Sequence, residues 1–198
     1  MKRIFDIIFS LGGLIILSPF FILFWLLIKA ESEGNPIFKQ TRVGKDNIDF
    51  SLYKFRTMFP DSEKRGSITI GGRDPRITRV GYYLRKFKID ELPQLLNVLN
   101  GDMSLVGPRP EVRKYVSLYS SQQLEVLKVK PGITDYASLK FFNENEILGR
   151  SEDPNHDYIY VIMPEKLRIN IEYIEDRSLL KDVKIILMTI GRIVGWKR

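Results

Sequence analysis

The first thirty residues form the most apolar stretch of the chain. From Ile7 to Ile28, 22 consecutive residues carry no charge, and 17 of them are apolar. A straight helix of that length measures about 33 Å, and the hydrocarbon core of a bilayer is about 30 Å thick. Because soluble core helices are rarely apolar on every face, the pattern predicts a membrane-inserted helix over residues 1–30. A cleavable signal peptide is disfavoured, since no small-x-small cleavage motif precedes Lys29.

The dipeptide Ser18-Pro19 divides this segment near its middle. Proline lacks a backbone N–H and its ring clashes with the preceding turn, so we expect the helix to bend there. The two arms, about 18 Å and 15 Å long, are each too short to cross a bilayer alone. Two topologies remain: a kinked helix that spans, because prolines are tolerated in spanning helices, and a broken helix that re-enters and returns to the same face. Basic residues at both ends, Lys2 and Arg3 before and Lys29 after, favour the second.

The remainder of the chain, residues 31–198, has a mixed pattern that predicts a mostly helical α+β domain. Apolar and polar side chains within Ile37–Met58 flank the turn-forming residues Gly44–Asn47, which is typical of a short β-hairpin. Helical spacing follows between Val80 and Leu99. We also expect a helix over Glu111–Lys128, and loops over Pro60–Pro75 and Gly101–Pro110.

Near the end of the chain, apolar side chains from Leu179 to Val194 fall on one helical face. Lys181, Lys184 and Arg192 lie off that face. The pattern predicts an amphipathic helix that either packs on the core or rests at the interface of a membrane that contains anionic lipid.

The composition restricts the chemistry that is available. The 198 residues contain 31 Lys+Arg, 24 Asp+Glu, no cysteine and one histidine, His156, in a polar loop that we expect at the surface. Disulfides, thiol nucleophiles, cysteine zinc sites and multi-histidine metal sites are therefore excluded. The net charge of +7 indicates anionic partners. Nucleic acid is not predicted among them, because the basic residues are interspersed with acidic ones and no nucleic-acid-binding motif is present.

Asp90-Glu91 is the first candidate for chemistry. Two adjacent carboxylates precede an apolar helical run, within a basic neighbourhood that includes Arg85. Acidic residues at a helix start are commonly caps or dipole partners, and Pro93 in the first turn also fits a plain helix start. The functional alternative is a nucleophile or base beside cations that bind a phosphate.

Arg109 is the second candidate, because Pro108 and Pro110 restrict the backbone on both of its sides. A guanidinium presented in this way suits two-pronged binding of a phosphate. Lys130 precedes Pro131 in a similar tight turn. Without further context, each could equally be part of a rigid structural loop.

Several segments, taken in order, resemble one family, the bacterial sugar transferases, in their small, monotopic form of polyprenyl-phosphate phosphoglycosyl transferases. The segments that carry the resemblance are Ser18-Pro19, Pro36-Ile37-Phe38, Lys54-Phe55-Arg56-Thr57-Met58, Asp74-Pro75-Arg76-Ile77-Thr78, Asp90-Glu91-Leu92-Pro93-Gln94, Gly101-Asp102-Met103-Ser104, Val106-Gly107-Pro108-Arg109-Pro110 and Lys130-Pro131-Gly132-Ile133-Thr134. The resemblance weakens after Thr134, where the family usually continues with Gly-Trp or Gly-Leu and this chain has Asp135-Tyr136.

The resemblance implies an activity: transfer of a sugar 1-phosphate from a UDP-sugar to polyprenyl (undecaprenyl) phosphate, with release of UMP, as the first membrane step of glycoconjugate assembly. It implies that Asp90 is the nucleophile of a covalent phosphosugar intermediate and that Glu91, together with Asp90, places Mg²⁺. Because two anionic substrates must meet an anionic nucleophile, cations are also required, and we assign Arg85, Arg109 and Lys130 to the substrate phosphates.

The resemblance also implies a location and leaves two questions open. Residues 1–30 would be a re-entrant helix in the bacterial inner membrane, and residues 31–198 a catalytic domain on its cytoplasmic face. We expect an N-acetylated or diamino sugar, with a plain hexose as the alternative. A basic, membrane-anchored binding module without catalysis would account for the charge and the anchor, but not for carboxylates set among cations.

Overall fold

The computed structural model describes residues 1–60, 62 and 74–195. Most of the predicted loop over Pro60–Pro75 and the last three residues of the chain lie outside these ranges. The helices are α1 (Lys2–Glu31), α2 (Arg79–Lys86), α3 (Gln94–Asn100), α4 (Arg113–Val116), α5 (Tyr136–Lys140), α6 (Glu144–Leu148), α7 (Pro154–Asp157), α8 (Met163–Glu175) and α9 (Leu179–Ile193). The strands are β1 (Ile37–Val43), β2 (Asp49–Phe55), β3 (Ser104–Val106) and β4 (Gly132–Thr134). Short 3₁₀ turns cover Lys45–Asn47, Ile89–Glu91 and Gln123–Lys128, and a π-helical turn over Tyr158–Ile162 joins α7 to α8.

Within the described residues, α1 is the one helix that is long and apolar enough to cross a membrane, by length and composition. It is continuous across Ser18-Pro19, so the expected interruption there is not confirmed. Pro19 has no N–H to offer the carbonyl of Ile15, its i−4 neighbour. The Ser18 hydroxyl donates to that same carbonyl instead, over 2.8 Å. The serine therefore satisfies the acceptor that the proline leaves free, which matters most in an apolar medium.

Both ends of α1 are bound to the rest of the chain. Near the start, Arg3 donates to the carbonyls of Val98 and Leu99 at the end of α3, the second over 2.8 Å. Asp6 accepts from the Ser104 hydroxyl at 2.9 Å and is 3 % exposed. At the other end, the Glu31 carboxylate accepts from the first backbone N–H groups of α2. One face of α1 thus lies along the domain, and the opposite face exposes apolar side chains such as Ile8, Ile15, Ile16 and Ile22.

The β-hairpin is confirmed. β1 and β2 pair antiparallel from Ile37–Phe55 to Val43–Asp49, and the 3₁₀ turn Lys45–Asn47 joins them. Phe55 packs with Phe21, Phe24 and Ile28 of α1, so the hairpin rests on the membrane-type helix.

The expected loop over Gly101–Pro110 contains a strand that the sequence pattern did not predict. β3 pairs in parallel with β4, with Ser104 opposite Gly132 and Val106 opposite Thr134. Gly132 lies so close to the backbone of Gly107 that an added Cβ would stand 2.1 Å from the Gly107 nitrogen. The glycines therefore allow the two proline-bearing turns to touch.

The expected helix over Glu111–Lys128 is wrong in its extent. The segment forms only α4 and the separate 3₁₀ turn Gln123–Lys128. Its side chains Tyr115 and Val126 are buried against Leu148 and α8. Packing on these elements, and not a continuous helical repeat, decides the conformation of this segment.

The C-terminal helix is confirmed as α9. Ile185 is fully buried against Val106 and Tyr173, while Leu180, Leu187 and Val194 are exposed. The apolar side chains of α9 therefore lie partly on a face buried in the core and partly on an exposed face. Contact of the exposed face with a membrane interface stays a prediction. His156 is exposed, as expected.

Candidate active site

Asp90 and Glu91 lie in the 3₁₀ turn that links α2 to α3. The chain reverses just before them at Lys88, which has the left-handed φ of 55°. Residues other than glycine adopt this backbone conformation only at a cost in free energy. Pro93 follows as the N-cap of α3. The turn buries both carboxylates, leaving Asp90 8 % and Glu91 9 % exposed.

Glu91 is ion-paired on two sides. Arg109 binds it with both terminal nitrogens, and the Nη1–Oε2 distance is 3.0 Å. Lys54 Nζ lies 3.2 Å from Glu91 Oε1. Burial alone would raise the pKa of Glu91, but the charges of Arg109 and Lys54 outweigh it and hold that pKa well below its ordinary value. Glu91 is therefore a fixed negative charge.

Asp90, the adjacent residue, differs from Glu91 in its hydrogen bonding and in the direction of its pKa shift. Its Oδ1 atom is buried and has no hydrogen-bond partner among the described residues. Burial and then the neighbouring Glu91 charge raise the pKa of Asp90, against the lowering effect of Lys54 and Arg85. Two adjacent carboxylates with pKa values moved apart are typical of sites that divide chemical roles between them.

Arg85 approaches the site from α2. Its Nε donates to the Thr57 hydroxyl over 2.8 Å, just beyond the end of β2. Burial lowers the pKa of Arg85, and the charge that most strongly opposes this effect is that of Asp90. Thr57 therefore orients a guanidinium beside the less well paired of the two carboxylates.

Arg109 is positioned by Asp135, one of the residues at which the chain departs from the family pattern. Asp135 is fully buried, and its Oδ2 accepts the backbone N–H of Arg109 over 2.9 Å. Its other oxygen accepts the Ser138 N–H at the start of α5. Through these two hydrogen bonds, Asp135 links the loop that contains Arg109 to the start of α5.

The structure brings Asp90, Glu91, Arg85 and Arg109 together, but it places Lys130 in another neighbourhood. Burial lowers the pKa of Lys130, and the charges that act on it most strongly are those of Arg3 and Asp6. Its Nζ also lies near Gly101, at the end of α3. A role for Lys130 in phosphate binding stays a prediction without a contact to the carboxylate pair.

Sequence reasoning missed Lys54 and Arg42 as members of this cluster. Lys54 shares its strand face with Leu52, which is buried, and a lysine on the apolar face of a strand was the available signal. Arg42 lies near the end of β1, opposite Phe50, and donates to the carbonyl of Pro110 over 3.1 Å. Both stand beside Arg109.

The carboxylate oxygens of Asp90 and Glu91 are the type of ligand that a hard cation such as Mg²⁺ prefers. Among the described residues, no group of three or more metal-ligating side chains is assembled. Mg²⁺ in phosphoryl-transfer sites is usually held by one or two carboxylates together with substrate phosphates and water. The buried, unpartnered Oδ1 of Asp90 is an oxygen ligand of this kind.

Comparison with known proteins gives the context of this site. A chain from Aeromonas hydrophila, the UDP-N-acetylgalactosamine-undecaprenyl-phosphate N-acetylgalactosaminephosphotransferase, is 39% identical over 98% of this chain and 44% of its own length. The UDP-glucose:undecaprenyl-phosphate glucose-1-phosphate transferase of Caulobacter vibrioides is 36% identical over 98% of this chain and 69% of its own length. A putative undecaprenyl-phosphate N-acetylgalactosaminyl 1-phosphate transferase of Bacillus subtilis is 51% identical over 56% of this chain and 62% of its own length.

This chain spans less than half of the Aeromonas protein, so the comparison extends to a shared region and not to that whole protein. The sequence model of the family described as "Bacterial sugar transferase" matches residues 1–195, nearly the whole chain. The Asp90–Glu91 turn and the Arg109 loop both lie inside this match. The chain belongs to the bacterial sugar transferase family.

Proposed function

We propose that the chain transfers a sugar 1-phosphate from a UDP-sugar to undecaprenyl phosphate, giving undecaprenyl diphosphosugar and UMP. The observation that carries this proposal is the contrast between Asp90, buried with an unpartnered oxygen, and Glu91, ion-paired to Arg109 and Lys54. A carboxylate oxygen that is held by no hydrogen bond is available for attack. The relatives named above for UDP-sugars and undecaprenyl phosphate support the same substrates.

The reaction that these residues support has two steps. In the first, a carboxylate oxygen of Asp90 attacks the sugar-side phosphorus, the bond from that phosphorus to the bridging oxygen breaks, and UMP leaves. In the second, the phosphate oxygen of the lipid attacks the same phosphorus and the Asp90 carboxylate is released. Each step moves one phosphosugar group, and the second step restores the free Asp90 carboxylate.

Charge neutralisation is the main physical requirement, because an anionic nucleophile must approach an anionic diphosphate. Lys54, Arg85 and Arg109 lie around the carboxylates and supply positive charge from partly buried positions. Asp90 and Glu91 would hold Mg²⁺, which when bound would neutralise further phosphate charge. Arg109 has a second role, since its pairing keeps Glu91 ionised.

The sugar is proposed to be N-acetylgalactosamine, with glucose as the alternative. Relatives named for N-acetylgalactosamine are 39% and 51% identical over the matched regions, and the Caulobacter relative named for glucose is 36% identical. These identities favour the N-acetylated sugar.

The membrane arrangement is proposed to be monotopic, with the domain at the cytoplasmic face of the inner membrane. Because Arg3 binds α3 and Glu31 binds α2, the two ends of α1 belong to one domain. A helix that lies along its own domain presents only its outer face to lipid. Its exposed apolar side chains would enter the bilayer, while anionic headgroups would meet the basic residues at its ends.

The test is release of UMP by the purified chain in undecaprenyl-phosphate vesicles, scored over UDP-N-acetylgalactosamine, UDP-N-acetylglucosamine, UDP-glucose and UDP-galactose. We expect the highest kcat/KM with UDP-N-acetylgalactosamine. Absence of UMP release with every donor would contradict the proposal and favour a binding module.

A further inference from the structure

Gln94 is a buried polar side chain that the proposed reaction does not yet use. It is the first residue of α3, three positions after Glu91, and its side chain is 1 % exposed. Its Nε2 has no hydrogen-bond acceptor among the described residues. A buried donor without an acceptor destabilises the folded chain, so the position requires an explanation beyond the fold.

The surroundings of Gln94 are rich in donors. With Leu52 and Pro110 it lines a recess whose other members are the cations Arg42, Lys54 and Arg109. The nearest carboxylate, Glu91, is already bound by Arg109 and Lys54. Among the described residues no acceptor is paired with Gln94 Nε2, and the positive charge of the recess favours an anionic one.

Arg42 shows that the recess is held in a defined shape. Its guanidinium binds Gln40 Oε1 at 2.8 Å and the Pro110 carbonyl at 3.1 Å, and it also pairs with Glu111. These contacts fix a positive charge beside Arg109 in spite of the repulsion between the two. Because the two guanidinium groups repel each other, an anion bound between them is strongly stabilised by electrostatic attraction.

We propose that the Gln94 side-chain amide donates a hydrogen bond to a phosphoryl oxygen of a substrate bound in this recess, with Arg42 and Lys54 neutralising its charge. The inference rests on the proposed function, and it adds a neutral donor and a third arginine to the site. The oxygen belongs either to the nucleotide-side phosphate of the UDP-sugar or to the phosphate of the lipid.

The test is Gln94→Met, which keeps the size of the side chain and removes the donor. Since an unpaired donor is replaced by an apolar group, the melting temperature is expected to stay or to rise. The KM for one substrate is expected to rise about tenfold, in keeping with the loss of one hydrogen bond to a charged group, with a smaller change in kcat. Gln122→Met, at an exposed glutamine, is the matched control and should leave both constants unchanged.

Separate KM measurements for the UDP-sugar and for undecaprenyl phosphate identify the substrate that supplies the oxygen. A raised KM for the UDP-sugar alone assigns the oxygen to the nucleotide side, and a raised KM for undecaprenyl phosphate alone assigns it to the lipid. Unchanged KM values for both in an active enzyme would overturn the proposal. A melting temperature lowered by several degrees in Gln94→Met would also overturn it, because the amide would then be satisfied within the fold.

A binding measurement keeps this test separate from the proposed function. Calorimetric binding of inorganic pyrophosphate requires no turnover, and we expect Gln94→Glu to weaken it more than Gln94→Met, because the new carboxylate repels the anion. If the wild-type chain releases no UMP, the proposed function fails while this comparison still decides the role of Gln94. Equal pyrophosphate affinity in wild type and both variants would overturn the inference.

Discussion

Arg109 binds Glu91 with both terminal nitrogens of its guanidinium group, with an Nη1–Oε2 distance of 3.0 Å. The arginine that the sequence assigns to a substrate phosphate thus binds a carboxylate of its own chain. Geometry of this kind is specific to the planar guanidinium fork. Glu91 is held ionised by this pair, which supports the proposal that Asp90 beside it is the nucleophile.

Replacement of Glu91 by glutamine should lower the rate and weaken the response to Mg²⁺ together. The amide keeps the shape of the side chain but removes the charge that would attract the cation. Titration of UMP release with Mg²⁺ measures both effects. Glu165→Gln, which removes a carboxylate from an exposed ion pair with Lys140, is the control and should leave the titration unchanged. An unaltered Mg²⁺ response in Glu91→Gln would remove Glu91 from the metal site.

Arg109→Lys should be far from conservative. A lysine ammonium cannot reproduce both contacts to Glu91, which would stay buried with incomplete pairing. We expect a loss of about 2 kcal/mol or more in transition-state stabilisation, or roughly thirtyfold in kcat/KM. Arg113→Lys tests the same change at an exposed arginine paired with Asp49 and should have little effect. Wild-type kinetics in Arg109→Lys would reduce this arginine to a structural part of its loop.

The pH dependence of kcat/KM should shift in opposite directions in two variants. Asp90 must be ionised to attack, so activity falls as the pH drops through its pKa, which is raised above the ordinary value of 3.8. Lys54 lowers that pKa and Glu91 raises it. Lys54→Met should therefore move the acid limb to higher pH, and Glu91→Gln should move it to lower pH.

Profiles of UMP release over the acid range give these shifts directly. Lys140→Met, which removes a lysine from an exposed ion pair, should leave the limb in place. Shifts of the same sign in Lys54→Met and Glu91→Gln would show that a group other than Asp90 controls the limb.

The topology of α1 can be tested by cysteine labelling, because the native chain has no cysteine. A cysteine in place of exposed Ile4 should be protected from an impermeant reagent in intact cells, as should one in place of exposed Ile48 on the hairpin. The double change Ser18→Ala, Pro19→Leu supplies the backbone N–H that Pro19 lacks and keeps the helix apolar, and a fraction of the position-4 cysteine should then become labelled. Strong labelling at position 4 without that double change would mean that α1 spans.

The sequence predicts the parts of this structure whose signals are local. The apolar run of α1 and the alternation around Gly44–Asn47 repeat over enough residues to define an element. β3 and β4 escape prediction because each has three residues, and their parallel pairing joins segments far apart in the chain. The helix expected over Glu111–Lys128 fails because burial of Tyr115 and Val126 against α8 overrides helical propensity.

The same distinction between local signals and long-range contacts applies to the residues of the site. Asp90, Glu91 and Arg109 are predictable because the carboxylate pair and the arginine between prolines belong to the segments that carry the family resemblance. Lys54 joins them only through the pairing of the hairpin with α3, which places its Nζ 3.2 Å from Glu91. The hold of Asp135 on the Arg109 backbone spans 26 positions and has no local signature.

The central claim is that Asp90 carries the phosphosugar, and the mass of the intact protein tests it most directly. After mixing with UDP-N-acetylgalactosamine without a lipid acceptor, the wild-type chain should gain the mass of one N-acetylgalactosamine phosphate, located on the peptide that contains Asp90. Asp90→Asn should show no adduct and no UMP release, and its melting temperature should stay or rise because a buried charge of raised pKa is removed. An adduct that persists in Asp90→Asn, or wild-type turnover in that variant, would contradict the account.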